Sequence, residues 1–184
     1  MKQDLLASLR AAVVALLAFT VLTGLVYPVV VWALGKPFAR DPAAFIGQDF
    51  TSPAYVWSRP SALGPFPYNA MNSTGTNLAE GNSALHDNVA KRVKALQDAD
   101  PDNHALIPID LVTASASGLD PHISPAAAYY QAARVARARG VSVEAVRAVI
   151  ADQVEGRTLG VLGEPRVNVV DLDRALDARF GVPR

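Results

Sequence analysis

The sequence predicts an α+β protein, with one N-terminal transmembrane helix followed by a single mixed α+β soluble domain. Residues 11–34 form an uncharged run of 24 residues, which as a helix at about 1.5 Å per residue would cross a hydrocarbon core of about 30 Å. The 150 residues that follow are the size of one domain. Their apolar patterns mix helical and short strand-like stretches without the repeated strand–helix rhythm of a doubly wound sheet.

The apolar run is predicted to be an uncleaved membrane anchor. A secretory signal usually holds only about 7–15 apolar residues, although a V-x-A sequence at 31–33 leaves cleavage open as an alternative. A single segment inside lipid must satisfy its own backbone hydrogen bonds, so it must be helical. The predicted organisation is a short tail over 1–10, the membrane helix over 11–34, a linker over 35–43 and the soluble domain over 44–184.

Flanking charges barely orient this helix. Lys2 and Arg10 precede the run, and Lys36 and Arg40 follow it, so the positive-inside count is tied. The short tail and its free amino group favour a cytoplasmic N-terminus.

The membrane helix carries two features that a lone anchor does not need. Pro28 has no N–H to donate to the carbonyl of Gly24, which predicts a local loosening of the helix. Small residues recur four positions apart at Ala11 and Ala15 and again at Thr20 and Gly24. Such spacing lets another helix approach closely in lipid; the alternative is that alanine is simply abundant in this chain.

Composition excludes several classes of function. Lys and Arg number 17, as do Asp and Glu, so the neutral chain offers no charge excess for nucleic acid. There is no cysteine, which excludes disulfides, cysteine-ligated zinc, iron–sulfur clusters and thiol catalysis.

Local patterns place the elements of the soluble domain. Capping residues and helical periodicity predict four helices, over 84–98, 125–139 (capped by Ser124 and ended by Gly140), from Ser142 to about 154, and from Asp171 to about 179. Short apolar or aromatic runs predict four strands, at 44–50, 55–58, 107–112 and 166–170.

Residues 59–83 are predicted to form an unusually long loop. The segment holds three prolines, three glycines and four asparagines, and no helix or long strand tolerates that composition. A loop of this length inside a compact domain is usually functional or disordered. Four apolar residues argue against disorder: Phe66, Tyr68, Met71 and Leu78.

No catalytic motif emerges from the chain. It lacks the P-loop pattern and the G-x-S-x-G nucleophile elbow, and its three histidines lack metal-ligand spacing. Ser115 or Ser117 with Asp120 and His122 would be too close in sequence for a hydrolase triad, so this stretch is interpreted as a turn. Residues 72–76 (NSTGT) approximate the D-K-T-G-T motif of P-type ATPases, but the amide of Asn72 cannot replace the aspartate nucleophile.

Taken together, several segments resemble the C subunit of the bacterial Kdp-type potassium-transporting ATPase, the KdpC family. The most specific segment is LVTASASGLDPHISP at 111–125. The others are TGLVYP at 23–28, GQDF at 47–50, RPS at 59–61, YN at 68–69, STGTNL at 73–78 and GEPRVNV at 163–169.

The resemblance implies a non-catalytic subunit of a four-subunit inner-membrane complex that imports K⁺ at the expense of ATP. Its partners would be a channel-like A subunit, the P-type ATPase B subunit and a small F subunit. It would span the membrane once, with a cytoplasmic N-terminus and a periplasmic domain. It would act as a catalytic chaperone that raises the ATP affinity of the B subunit, with no tightly bound cofactor and with ATP only in a ternary complex.

This expectation assigns two sets of candidate contact residues. Those for membrane-helix packing are Ala11, Ala15, Thr20, Gly24 and Pro28. Those for a partner surface are Tyr68, Asn69 and Asn77; the alternative is that their loop packs on its own domain. A membrane-tethered periplasmic enzyme or solute-binding domain is the competing class, and it would need convergent groups that the spacing does not show.

Overall fold

A computed structural model describes residues 2–38 and 41–183. The chain divides into two compact units between Asp41 and Pro42. The first unit is helical and the second combines helices with a small sheet, which confirms the predicted fold class.

The N-terminal unit is one apolar helix with a widened turn. Its parts are α1 (Lys2–Val21), a π-helical turn (Leu22–Val26) and α2 (Tyr27–Gly35), and a 3₁₀ turn follows at Lys36–Phe38. The helix Leu5–Gly35 contains 31 residues, and an 18-residue stretch within it has a mean hydropathy of 2.3 and is not buried by any described part of the chain. It is long and apolar enough to cross a membrane.

The π-helical turn confirms the loosening predicted from Pro28. The Tyr27 N–H donates to the carbonyl of Leu22, five residues back. Since Pro28 has no N–H to donate, the regular hydrogen-bond ladder must change at this point. At about 100° per residue, Thr20 lies about 140° around the helix from Ala15. The small residues therefore form two separate patches on the helix.

The soluble unit surrounds one hydrophobic core with four helices and a three-stranded antiparallel sheet. The helices are α3 (Ser83–Ala99), α4 (Pro125–Arg139), α5 (Val143–Asp152) and α6 (Val169–Phe180). The strands are β1 (His122–Ile123), β2 (Val154–Glu155) and β3 (Arg166–Asn168), with β3 in the centre. Buried side chains from α4, α5, α6 and β3 meet in this core, among them Val135, Ile150, Val167, Leu172 and Leu176.

The helix starts read from sequence are confirmed for α4 and α5. Ser124 accepts from the Ala127 N–H at 3.0 Å, and Ser142 from the Ala145 N–H at 3.2 Å. Gly140 ends α4 with a φ of 66°, a conformation that favours glycine. Helix α5 ends at Asp152 instead of 154, because Val154 pairs with Val167 in the sheet.

Three of the four predicted strands are wrong. Residues 44–50 and 107–112 contain 3₁₀ turns, at Pro42–Phe45 and Ile109–Leu111, and 55–58 are irregular. The strand predicted at 166–170 forms but stops at Asn168, whose side chain accepts from the N–H groups of Val170 and Asp171. Asn168 is therefore the cap of α6, in place of the predicted Asp171.

Residues 53–57 pair with helix side chains instead of with a strand. Gln131 of α4 accepts from the Trp57 N–H at 2.9 Å and donates to the Trp57 carbonyl at 3.1 Å. The buried Arg134 donates to the carbonyls of Pro53 and Tyr55. These side chains supply the partners that a neighbouring strand would otherwise provide.

Asp173 of α6 binds the 53–57 segment, and its buried carboxyl group should make the stability of the domain depend on pH. Its Oδ1 accepts from the Val56 N–H at 2.9 Å, while its Oδ2 has no partner in the described part of the chain. Burial raises the pKa of this carboxyl to about 8, from an ordinary 3.8; the Val56 hydrogen bond and Arg139 offset burial only in part.

Between about pH 4 and 8 the folded protein therefore holds a proton that the unfolded chain releases. The free energy of unfolding should fall as pH rises through this window, by an amount on the order of a few kcal/mol. Asp173→Asn keeps the acceptor and should flatten this dependence, measured by urea unfolding of the full chain in detergent across that range. An unchanged slope in the variant would contradict the assignment.

Candidate functional site

The soluble domain has a long irregular loop that is hydrogen-bonded to a tight turn. We call residues 59–82 the proline-rich loop and residues 114–120 the supporting turn. The Thr74 N–H and the Ser73 hydroxyl both donate to the Ser117 carbonyl, at 3.0 and 3.3 Å. The Ser61 hydroxyl donates to the Gly118 carbonyl at 2.7 Å. The loop has no regular structure, as predicted, and it is fixed in place by hydrogen bonds to its own domain.

Glycine lets the two segments approach each other. Gly118 has a φ of +70°, and a Cβ there would lie 2.8 Å from Leu63 Cγ and 3.0 Å from the Thr74 carbonyl oxygen. Gly75 faces the turn from the loop side, where a Cβ would lie 3.0 Å from the Ala116 carbonyl oxygen. At Gly118 the 2.8 Å approach is closer than a Cβ allows, and the positive φ also favours glycine. At Gly75 the approach is tight, so a side chain there would require Ala116 to shift by a few tenths of an ångström.

Tyr68, a predicted partner contact, holds the loop to the domain. Its hydroxyl donates to the Arg59 carbonyl. Its ring covers Gly47, where a Cβ would lie 2.6 Å from the ring carbons. Burial, reinforced by the nearby Asp49, raises the pKa of the Tyr68 hydroxyl to about 12. The side chain therefore remains a neutral hydrogen-bond donor at physiological pH.

Asn69 and Asn77, the other two candidate contacts, lie exposed on the loop. The Asn69 side chain accepts from the Met71 N–H at 3.0 Å, and Asn77 has a φ of 51°. Phe66 and Met71, whose apolar side chains argued against disorder of the loop, are 70% and 92% exposed. Both side chains are apolar and lie in a segment with no helix or strand that could bury them. This pattern was the signal in the sequence that could have suggested a contact surface.

The supporting turn uses the polar groups that could have suggested a hydrolase. Ser115 Oγ accepts from the Gly118 N–H at 2.9 Å, and Ser117 Oγ from the Leu119 N–H at 3.1 Å. Asp120 accepts from the His122 backbone N–H at 3.0 Å. The interpretation of this stretch as a turn is confirmed.

Asp120 and His122 face an open cleft of about 610 Å³, which neither Ser115 nor Ser117 lines. Burial raises the pKa of the Asp120 carboxyl, but hydrogen bonds from His122 and the charge of Arg59 outweigh it and lower the pKa overall. The carboxylate therefore stays ionised and serves as a structural acceptor. Over residues 2–38 and 41–183, no three His, Asp or Glu side chains group as metal ligands would.

Comparison with known proteins identifies the family. Residues 9–178 match the family model described as "KdpC: K+-transporting ATPase, c chain". The potassium-transporting ATPase KdpC subunit of Polaromonas naphthalenivorans is 53% identical, over 92% of this chain and 94% of the relative. The KdpC subunits of Herpetosiphon aurantiacus and Ralstonia nicotianae are each 50% identical over 91% of this chain, and over 94% and 89% of their own lengths. The two-unit architecture and these matches along nearly the whole chain show that the protein belongs to the KdpC family, the c chain of K⁺-transporting ATPases.

Proposed function

We propose that the chain is a non-catalytic accessory subunit that binds its partners through its membrane helix and its proline-rich loop. The carrying observation is that no described part of the chain buries the membrane helix, and that a Cβ at Gly24, inside the π-helical turn, would meet nothing within 4 Å. The KdpC relatives are named as subunits of a potassium-transporting ATPase. On this proposal the partners are a channel-like A subunit, the P-type ATPase B subunit and a small F subunit.

The proposed topology is a retained single-pass anchor in the bacterial inner membrane, with the N-terminus cytoplasmic and the soluble domain periplasmic. The chain has no cysteine, so Ala151→Cys, at an exposed position of α5, gives a single probe. A membrane-impermeant thiol reagent should label it in intact cells. Labelling only after lysis would place the domain in the cytoplasm.

Gly24→Leu tests whether the helix binds a partner. A Cβ at Gly24 meets nothing within 4 Å in the described part of the chain beyond its own helical turn, so the leucine should act on a neighbouring helix and not on the packing of this chain. Forcing extra methylene groups into a close-packed contact costs about 1–3 kcal/mol, so about tenfold less subunit should co-purify with the B subunit in mild detergent. The matched control is Gly35→Leu, where the surrounding space is equally open. Equal recovery of the two variants would contradict the proposal.

We further propose that the subunit raises the ATP affinity of the B subunit indirectly. The chain contains no P-loop sequence, and a helix packed against the pump can transmit a coupling free energy without touching nucleotide. Complexes that have lost the subunit through Gly24→Leu should show a higher KM for ATP, by about fivefold or more. Tight ATP binding by the purified full chain in calorimetry would instead favour direct contact.

A further inference from the structure

The hairpin between β2 and β3 ends in a group of exposed aliphatic side chains. We call Leu159, Val161 and Leu162 the aliphatic tip. Their side chains are 87%, 71% and 59% exposed, and every residue from 156 to 165 is exposed. These three aliphatics therefore contribute little to the packing of the domain core.

The hairpin shapes this tip with its own hydrogen bonds. Thr158 and Leu162 pair through both backbone groups, at 2.9 and 3.0 Å, and the Gly160 N–H donates to the Arg157 carbonyl at 3.0 Å. Leu159 has a φ of 55°, a conformation that residues other than glycine disfavour. A large apolar side chain thus occupies a position where turn geometry alone would select glycine or asparagine.

The charges of the hairpin stem are neutralised in pairs. Arg166 contacts Glu155 at 2.9 Å, and Arg157 donates to both carboxylate oxygens of Glu164 at 2.9 and 2.7 Å. The tip beyond these pairs contains no charged residue. A surface that is apolar at its end and electrically neutral along its stem suits the interface of a lipid bilayer, where an uncompensated charge would be costly.

The soluble unit is joined to the membrane helix by a short tether. Only six residues, 36–41, separate α2 from the soluble unit. Such a short tether raises the effective concentration of bilayer at the domain surface, so even weak insertion becomes favourable.

We propose that the aliphatic tip inserts into the interfacial region of the bilayer in which the chain is anchored. This would be a second lipid contact, separate from the membrane helix. It does not depend on the proposed ATPase partners, because lipid alone should be sufficient to bury the tip.

The test uses the full chain alone in nanodiscs of phosphatidylcholine and phosphatidylglycerol. Leu159→Cys and, separately, Val161→Cys carry an environment-sensitive fluorophore, with Ala151→Cys on α5 as the exposed control. Compared with the Ala151 label, both tip labels should show blue-shifted emission. Lipids with a spin label near the headgroup should quench the tip labels at least twofold more strongly than the control. An aqueous quencher should reach them less than it reaches the control.

Tip labels as water-accessible as the Ala151 label would overturn the proposal. Protection that occurs only in the assembled complex would overturn it as well, because the occupant would then be a protein. Testing two tip positions guards against a local effect of either substitution. Neither failure would affect the assembly expected of the Gly24 and Gly35 variants.

Discussion

Gly118→Ala should lower the free energy of unfolding by about 3 kcal/mol and release the proline-rich loop from its supporting turn. Part of this cost, about 1 kcal/mol, comes from the positive φ, which alanine disfavours. The rest comes from overpacking, because the new methyl group would lie 2.8 Å from Leu63 Cγ and 3.0 Å from the Thr74 carbonyl oxygen. Leu63 is buried and Thr74 is held by its own hydrogen bond to Ser117, so neither has room to move freely.

Gly140→Ala is the matched control for this prediction. Gly140 has nearly the same φ, +66°, but a Cβ there meets nothing within 4 Å. It should therefore show the conformational cost alone, and the difference between the two variants reports the overpacking. Urea unfolding of the full chain in detergent gives both values, and hydrogen exchange at the Thr74 amide reports release of the loop. Equal losses of unfolding free energy in the two variants would mean that the loop moves away from the new methyl group without an overpacking cost.

Arg134→Met should destabilise the domain by about 3 kcal/mol, because it removes the donor for two backbone carbonyls. Arg134 is 4% exposed and bonds the Pro53 and Tyr55 carbonyls at 2.7 and 3.1 Å. Its guanidinium carbon also lies 4.1 Å from the centre of the Trp57 ring. Hydrogen bonds from a charged group contribute about 1.5–3 kcal/mol each, and water can replace part of this loss at Pro53, which is exposed.

One effect works against this loss. Burial lowers the pKa of Arg134 to about 10, so the folded protein holds the charge at a cost that methionine removes. The two lost carbonyl bonds and the lost ring contact should outweigh this relief, and the net loss should fall below their sum. Trp57 fluorescence during urea unfolding measures this net loss of unfolding free energy.

Arg147→Met is the exposed control for the same substitution. Arg147 lies on the surface of α5, with a cation–π contact to Tyr129 at 4.9 Å. A change within about 1 kcal/mol is expected there. An equally small change for Arg134→Met would show that the 53–57 segment does not depend on Arg134.

Local sequence signals predicted the helices of this protein well. An apolar uncharged run needs only its length to indicate a membrane helix, and Pro28 identified where its ladder changes. Ser124, Gly140 and Ser142 fixed helix ends because capping is a hydrogen bond between residues close in sequence. Motifs along the chain also carried the family resemblance, which the comparisons confirmed.

Long-range contacts decided the rest. The apolar pattern of 55–58 suited a strand, yet Gln131 and Asp173, more than seventy positions away, supply its hydrogen bonds. The two strands β1 and β2 have only two residues each, too short for any periodicity to identify them. Likewise, the composition of the proline-rich loop predicted irregular backbone, but only the tertiary structure placed it on Gly118 and left Phe66 and Met71 exposed. The sequence by itself determined what near neighbours can settle, namely the membrane helix and the caps of α4 and α5. Only the tertiary structure decided which distant groups satisfy the irregular backbone, because that depends on where the folded chain brings them.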